Sequence, residues 1–272
     1  MLGIFDSGLG GFSVLRPLRV LLPAHDILYF ADQAHVPYGD RTPDELATFL
    51  RANLDFLNEA GAEAIVVACN TSSAIAAQRG WPESAAPIVD LISSAAQAVA
   101  ASGARRIGVL ATTATARSGA YGAAIRKLAA DAHVEELGAP ALVPLVEAGA
   151  LAGRGTRAAV AEACAPFSRD LEALVYGCSH YPALDVHFAE VLGASVSRID
   201  PAPIHAEVAA RLVADRQIAG GRGHTRFVTS GDPLALIRSI RAMLGETSPH
   251  VDSLVEALGD ARDDVLTKSG NL

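Results

Sequence analysis

The sequence predicts an α/β fold made of two similar halves, each a mainly parallel β-sheet flanked by helices. Three observations carry this prediction. Short apolar, partly β-branched runs alternate with longer segments of helical periodicity, the order expected of a parallel sheet with helical crossovers. The pattern restarts near residue 104, and the stretches 65–71 and 174–180 share one plan: an apolar run, a small residue, a cysteine and polar residues.

The elements follow in order along the chain. Segments with the length and composition of buried strands are 2–5, 27–30, 64–68, 88–91, 106–110, 134–137, 173–176, 196–199 and 226–229. Segments predicted to be helical are 12–22, 43–60, 72–79, 92–102, 118–130, 156–167, 182–191, 204–215 and 233–244. Thr42, Pro43 and Glu45 form a capping-box pattern at one helix start. We expect 112–115 to be a polar loop, 144–147 a loop or helix start, and the last 20-odd residues a loosely packed tail.

Composition limits the class of protein. Acidic residues outnumber basic ones by 30 to 22, and the net charge of −8 argues against a nucleic-acid partner. No apolar run approaches the roughly 18 residues of a membrane span. Met1 leads into Leu2, Ile4 and Asp6 without a basic or apolar leader. Three cysteines do not make a disulfide framework. We therefore expect a cytoplasmic protein without membrane attachment.

Two cysteines occupy equivalent places in the two halves. Cys69 and Cys178 each follow a predicted strand and precede a predicted helix, where open α/β sheets place their ligands. A single strand-end cysteine is often only a small buried residue. Two such cysteines indicate two thiols facing one substrate. Cys164 lies within a predicted helix between alanines, and there a core position is the expectation.

Other polar side chains accompany these cysteines. Asp6 ends the first strand at a glycine-rich loop, where it is either a turn residue or a carboxylate that orients Cys69 or holds a substrate ammonium. His180 lies two residues after Cys178 and is a candidate acid/base partner. Glu147 is either a solvated helix-start residue or a further participant. The histidines show no metal-ligand spacing, so we expect no metal.

The motifs together resemble glutamate racemase of the cofactor-independent aspartate/glutamate racemase superfamily. The segments that carry the resemblance are 5–8 with Gly10 and Gly11, 37–39, 68–71, 111–115 with Ser118 and Tyr121, 143–147, 177–178 with 180–182, and 230–232. Ser72 stands where alanine is common in the family, and Ser179 where threonine is usual.

The resemblance implies a first domain of residues 1–94 plus 208–272 and a second of 95–207, with the active site between them. Cys69 would deprotonate D-glutamate and Cys178 L-glutamate, assisted by Asp6, His180 and Glu147. Expected substrate contacts are Asp6, Ser7, Pro37, Tyr38, Gly39, Cys69, Asn70, Thr71, Thr113, Thr115, Cys178, Ser179 and His180. No cofactor is expected, because the only lysines, Lys127 and Lys268, lie in a helix and the tail. A homodimer is the assembly considered.

Other functions stay open at this point. A racemase acting on aspartate, another small acid or a hydantoin would share the two cysteines. A decarboxylase of the superfamily would use one cysteine. A small-anion binding protein is the alternative from another class, and a thiol-redox enzyme lacks a C-x-x-C motif here.

Overall fold

A computed structural model describes residues 1–258 of the chain. The strands of this part are β1 (Leu2–Asp6), β2 (Ile27–Ala31), β3 (Ala64–Val67), β4 (Ile88–Asp90), β5 (Arg106–Ala111), β6 (His133–Gly138), β7 (Ala173–Gly177), β8 (Ser197–Ile199), β9 (Thr225–Thr229) and β10 (Val251–Ser253). The α-helices are α1 (Phe12–Leu21), α2 (Pro43–Glu59), α3 (Asn70–Arg79), α4 (Leu91–Ser102), α5 (Thr113–Ser118), α6 (Ala120–Leu128), α7 (Leu142–Glu147), α8 (Arg154–Cys164), α9 (Asp185–Leu192), α10 (Pro201–Asp215) and α11 (Pro233–Leu244). Single 3-10 turns lie at Gln33–His35, Tyr38–Asp40 and Tyr181–Leu184.

The strands form two parallel sheets. The first sheet has the order β10-β9-β2-β1-β3-β4 and the second the order β6-β5-β7-β8. In the first sheet β1 lies beside β3, and in the second β5 lies beside β7. Because parallel strands end at a common edge, the residues that follow β1 and β3 meet there, as do those that follow β5 and β7.

The central strands of both sheets are buried on both faces. In β3, Val66 belongs to one apolar cluster, whereas Ile65 and Val67 belong to another on the opposite face. Strand β7 repeats this alternation, with Val175 on one face and Tyr176 on the other. Burial on two faces explains why these strands are continuous apolar runs. The predicted α/β class, with two parallel sheets flanked by helices, is confirmed, and the capping box of Thr42 and Glu45 is present at α2.

The predicted loop at 112–115 is wrong. Thr112 is instead the N-cap of α5, and its hydroxyl accepts the N–H of Thr115. Hydroxyl-bearing residues are neutral to unfavourable inside helices and favourable at caps, so the threonine run hid a six-residue helix. The helix predicted to begin at 118 begins instead at Ala120. Residue 118 is the last residue of α5, and Gly119, in the left-handed conformation, separates the two helices.

The prediction of a loose tail is also wrong where it can be compared. Residues Val251–Ser253 form β10, which pairs in parallel with β9 and extends the first sheet. Asp252 is buried there and accepts a hydrogen bond from Arg226 at 2.6 Å. A three-residue strand with one acidic residue carries too little periodicity to be predicted. The rest of the predicted tail, 259–272, lies outside the described residues.

The two sheets draw their strands from different parts of the chain. The first sheet uses residues 2–90 and 225–253, and the second uses 106–199. The boundaries at 94/95 and 207/208 stay a prediction; the first falls inside α4 and the second inside α10. Within residues 1–258 we find no helix long and apolar enough to cross a membrane.

A buried histidine makes the fold sensitive to acid. His205 on α10 is fully buried, and its Nδ1 is hydrogen-bonded to the Ser94 hydroxyl of α4 at 2.9 Å. Burial lowers the pKa of this imidazole to about 3, from an ordinary value of about 6.5. Between these values the unfolded chain binds a proton that the folded chain does not. The free energy of unfolding therefore falls as the pH drops through this window, by roughly 1 kcal/mol per pH unit.

Urea unfolding at pH 7 and pH 5 tests this sensitivity. In the unaltered protein the unfolding midpoint should be lower at pH 5. In His205→Gln the difference between the two pH values should shrink, whatever the variant's absolute stability. The exposed His133 supplies the matched control, since His133→Gln should keep the full difference. An unchanged difference in His205→Gln would contradict the attribution of the acid sensitivity to His205.

Candidate active site

Cys69 lies at the carboxyl end of the first sheet. Strand β3 ends at Val67, and Cys69 follows as the N-cap of α3, where its Sγ accepts the N–H of Ser72 at 3.5 Å. The side chain is buried, and burial raises the pKa of the thiol to about 12, with the nearby Asp6 carboxylate as the next cause. The structure therefore holds Cys69 as a thiol near neutral pH.

Cys178 occupies the equivalent place in the second sheet. It follows Gly177, the last residue of β7, and its Sγ lies 3.7 Å from Nδ1 of His180. The other ring nitrogen of His180, Nε2, lies 2.5 Å from a carboxylate oxygen of Glu147, the last residue of α7. Sulfur, imidazole and carboxylate form one connected chain of polar groups.

The electrostatics of His180 distinguish the two cysteines. Burial alone would lower the pKa of this imidazole, but the hydrogen bonds to Cys178 and Glu147 outweigh it and raise the pKa well above its ordinary value. His180 is therefore an imidazolium near neutral pH. The charged neighbour of Cys178 is therefore a cation, whereas that of Cys69 is a carboxylate.

Asp6 connects the two sheets. It ends β1, is fully buried, and accepts the N–H of Gly8 at 2.8 Å and the Ser179 hydroxyl at 3.1 Å. Burial raises the pKa of this carboxyl, an effect that the charge of His180 and the hydrogen bonds offset only in part. Asp6 ends β1, which pairs with the strand that leads to Cys69, and it also accepts a hydrogen bond from the loop that carries Cys178.

The glycine-rich loop after β1 packs directly on that loop. A Cβ atom added at Gly10 would lie 2.1 Å from the Ser179 hydroxyl and 2.8 Å from Nδ1 of His180. Real Cβ atoms do not approach so closely. Gly10 is therefore required for the approach of the two sheets at this point.

A narrow cavity of about 60 Å³ lies between the two cysteines. Most of the residues expected at the substrate line it, namely Ser7, Pro37, Tyr38, Gly39, Cys69, Asn70, Thr71, Thr113, Cys178, Ser179 and His180. Asp6, Thr115 and Glu147 are not among the lining residues. Asp6 and Thr115 are fully buried, and Glu147 contacts His180. A wider cavity of about 510 Å³ adjoins the narrow one and shares Gly39, Asp40, Thr71 and Thr113 with it.

Threonine hydroxyls form hydrogen bonds between the two halves of the molecule beside the cavity. The Thr71 hydroxyl lies 3.0 Å from that of Thr112 and 3.2 Å from that of Thr115. Thr112 also lines the cavity, although it is not among the expected substrate contacts. The signal was available, because Thr112 follows β5 and caps α5 as Cys69 follows β3 and caps α3.

The loop that carries Tyr38 and Gly39 is fixed by a buried carboxylate. Asp32 accepts hydrogen bonds from the Tyr38 hydroxyl and, at 2.6 Å, from Ser230, while Asn53 donates to the Tyr38 oxygen at 3.0 Å. The Tyr38 hydroxyl is therefore engaged by Asp32 and Asn53. Asp32 was also missed, since one acidic residue after a strand has no distinguishing pattern.

The described residues hold no group of three or more His, Cys, Asp or Glu side chains placed to bind a metal ion. The expectation of a site without metal or cofactor stays a prediction. The polar groups that line the cavity are thiols, hydroxyls, an amide, an imidazole and the Asp40 carboxylate.

Glu147→Gln should lower the pKa of His180, because the amide keeps the size of the side chain but removes the negative charge that favours imidazolium. An NMR titration of the imidazole resonances measures the effect directly. The alkaline transition of His180 should move to lower pH in the variant. A titration curve that matches the unaltered protein would show that Glu147 does not act on His180.

Known proteins share this fold. A model of the Asp/Glu/hydantoin racemase family matches residues 13–209, and the chain belongs to this family. A curated glutamate racemase from Gloeobacter violaceus is 44% identical over 236 residues, covering 86% of this chain and 88% of the relative.

Solved structures agree. The glutamate racemase of Francisella tularensis in complex with D-glutamate superposes with a TM-score of 0.85 at 28% identity, over 93% of this chain and 96% of that chain. The Thermus thermophilus glutamate racemase in complex with beta-chloro-D-alanine gives a TM-score of 0.81 at 35% identity, with the same coverage. The resemblance that the sequence motifs indicated is confirmed.

Proposed function

We propose that this chain interconverts L- and D-glutamate by moving a proton at the α-carbon between two cysteines, without a cofactor. One observation carries the proposal. Cys69 and Cys178 follow the ends of equivalent strands in two different sheets and line the same narrow cavity. Two acid/base groups on opposite sides of one carbon can remove a proton from one face and add a proton to the other.

The unequal surroundings of the cysteines support a defined resting state. Cys69 is held as a thiol by burial and by Asp6, while Cys178 faces the imidazolium of His180. In this form Cys178 is the base for L-glutamate, and Cys69 gives its proton to the opposite face. The product state, with Cys69 as thiolate, is the form that accepts D-glutamate.

The cavity supplies neutral donors for the substrate carboxylates. Helices α3 and α5 both begin at it, and their first residues, Asn70 and Thr113, line it. Backbone N–H groups at helix N-termini and nearby hydroxyls bind carboxylates without a lysine or arginine. The same fixed donors stabilise the negative charge that develops when the α-proton leaves.

Glutamate is the substrate we favour, since the relatives and solved structures compared above carry that name. Turnover of D-glutamate, D-aspartate and a hydantoin under one set of conditions tests this choice. The proposal expects D-glutamate to be racemised fastest. Faster turnover of D-aspartate or the hydantoin would assign the chain to another branch of the family. Binding of these compounds without any turnover would favour a small-anion binding protein.

Further predictions accompany this activity. D-glutamate would serve peptidoglycan synthesis in the cytoplasm. Residues 1–94 with 208–272 would form one domain and 95–207 the other. A homodimer stays a prediction. Thr115 would act on the substrate through Thr71 and Thr112, with which it shares hydrogen bonds.

A further inference from the structure

Ser72 has a buried hydroxyl without a hydrogen-bond partner among the described residues. The residue is 1% exposed, and within residues 1–258 its Oγ makes no hydrogen bond of ordinary geometry. An unpaired buried hydroxyl is unfavourable. Its position is specific, because its own N–H donates to Sγ of Cys69 at 3.5 Å. The free hydroxyl therefore belongs to the residue that already contacts the sulfur.

We propose that the Ser72 hydroxyl is a donor reserved for the thiolate form of Cys69, so that Ser72 selectively supports deprotonation of the D-enantiomer. A thiol is a weak acceptor, whereas a thiolate accepts strongly. When Cys69 has given its proton to the substrate, the sulfur becomes an anion in a buried site. The sulfur to which the Ser72 N–H already donates then becomes a strong acceptor, and the Ser72 hydroxyl donates to it as well.

The charged and phenolic groups around Cys69 do not stabilise its thiolate. Asp6 is the charged neighbour, and a carboxylate opposes a thiolate. Tyr29 and Tyr38 are neutral, because burial raises the pKa of both phenols. Ser7 is the other side chain that, with Ser72, favours the anionic sulfur. Among residues 1–258, the groups that favour the anionic sulfur of Cys69 are these two hydroxyls and the Ser72 N–H at the helix start, whereas the neighbour of Cys178 is the His180 imidazolium.

The proposal rests on the proposed racemase function and is tested with the two enantiomers of 3-chloroglutamate. A thiolate removes the α-proton, the C–H electron pair forms the Cα=Cβ bond, and chloride leaves. Water then hydrolyses the enamine, through its imine, to 2-oxoglutarate and ammonium. This reaction is irreversible, so the two enantiomers report separately on Cys69 and Cys178. Racemisation does not allow this separation, because its two directions are tied by the equilibrium constant.

Ser72→Ala should slow elimination from the D-isomer about tenfold, the factor expected for one hydrogen bond to a charged group. Elimination from the L-isomer should not be slowed. The acidic limb of the D-isomer's pH–rate profile should also move to higher pH. Ser73→Ala is the matched control, because Ser73 is equally buried but its hydroxyl donates to the Cys69 carbonyl oxygen at 3.0 Å. It should leave the ratio of the two rates unchanged.

The outcomes separate the two claims. No chloride release from either isomer by the unaltered protein would contradict the racemase function itself. Release from both isomers, with Ser72→Ala slowing both equally or neither, would contradict only the role of Ser72. A Ser73→Ala variant that changes the ratio as much as Ser72→Ala would also overturn it, because the effect would then belong to the helix start.

Discussion

Cys69→Ala and Cys178→Ala should each reduce glutamate racemisation by about a thousandfold or more. Each substitution removes the group that takes or gives the α-proton on one face, and a positioned acid or base contributes roughly 10²–10⁴-fold. Because the two cysteines act in one reaction, the double variant should be little slower than either single variant. Polarimetry of L-glutamate solutions measures the rate.

Cys164 provides the control for loss of a buried thiol. It ends α8 inside an apolar cluster, and burial raises the pKa of its thiol to about 11. Cys164→Ala should keep racemase activity, with at most a small loss of stability. Full activity in Cys69→Ala or Cys178→Ala, with Cys164→Ala equally active, would refute the assignment of two bases.

Gly10→Ala should lower racemase activity on the order of 100-fold while leaving the protein folded. The added methyl group requires Ser179 and His180 to move, since it would lie within 2.1 and 2.8 Å of their side-chain atoms. His180 is held on its far side by Glu147, so the shift reaches Cys178. A displacement of about 1 Å at a reacting group can cost this factor.

Gly155 is the matched control for this substitution. It lies in α8, and the position of its added Cβ has no atom within 4 Å. Gly155→Ala should leave activity unchanged and favour the helix slightly. Circular dichroism and racemisation are measured on both variants. Gly10→Ala with unaltered activity would show that the contact of the glycine loop with the Cys178 loop does not position the site.

The sequence predicted the parts of this molecule that repeat a simple physical pattern. Strands such as β3 and β7 are apolar throughout because both faces are covered, and that run is visible in the chain. The two cysteines were found because each follows such a run. Their presence at one cavity required only that the strand ends of two similar halves face each other.

Other parts depend on contacts between distant segments and had no local signal. Helix α5 was hidden by threonines whose hydroxyls cap it and bond to Thr71. Asp32 acts through Tyr38 and Ser230, which lies 198 residues away in the chain. The position of Asp6 beside Ser179 could not be derived from its place at the end of β1. The different charged neighbours of the two cysteines, Asp6 and His180, likewise depend on how the loops pack in the folded protein.

Deuterium incorporation tests the central claim most directly. The protein is incubated with L-glutamate in D2O, the reaction is stopped at low conversion, and the two enantiomers are separated and examined by NMR. Two-base transfer predicts that the D-glutamate formed carries deuterium at Cα, while the remaining L-glutamate keeps its proton. Deuterium in the remaining L-glutamate at the level found in the product would contradict two separate bases. Retention of every Cα proton, with no D-glutamate formed by folded protein, would contradict the function itself.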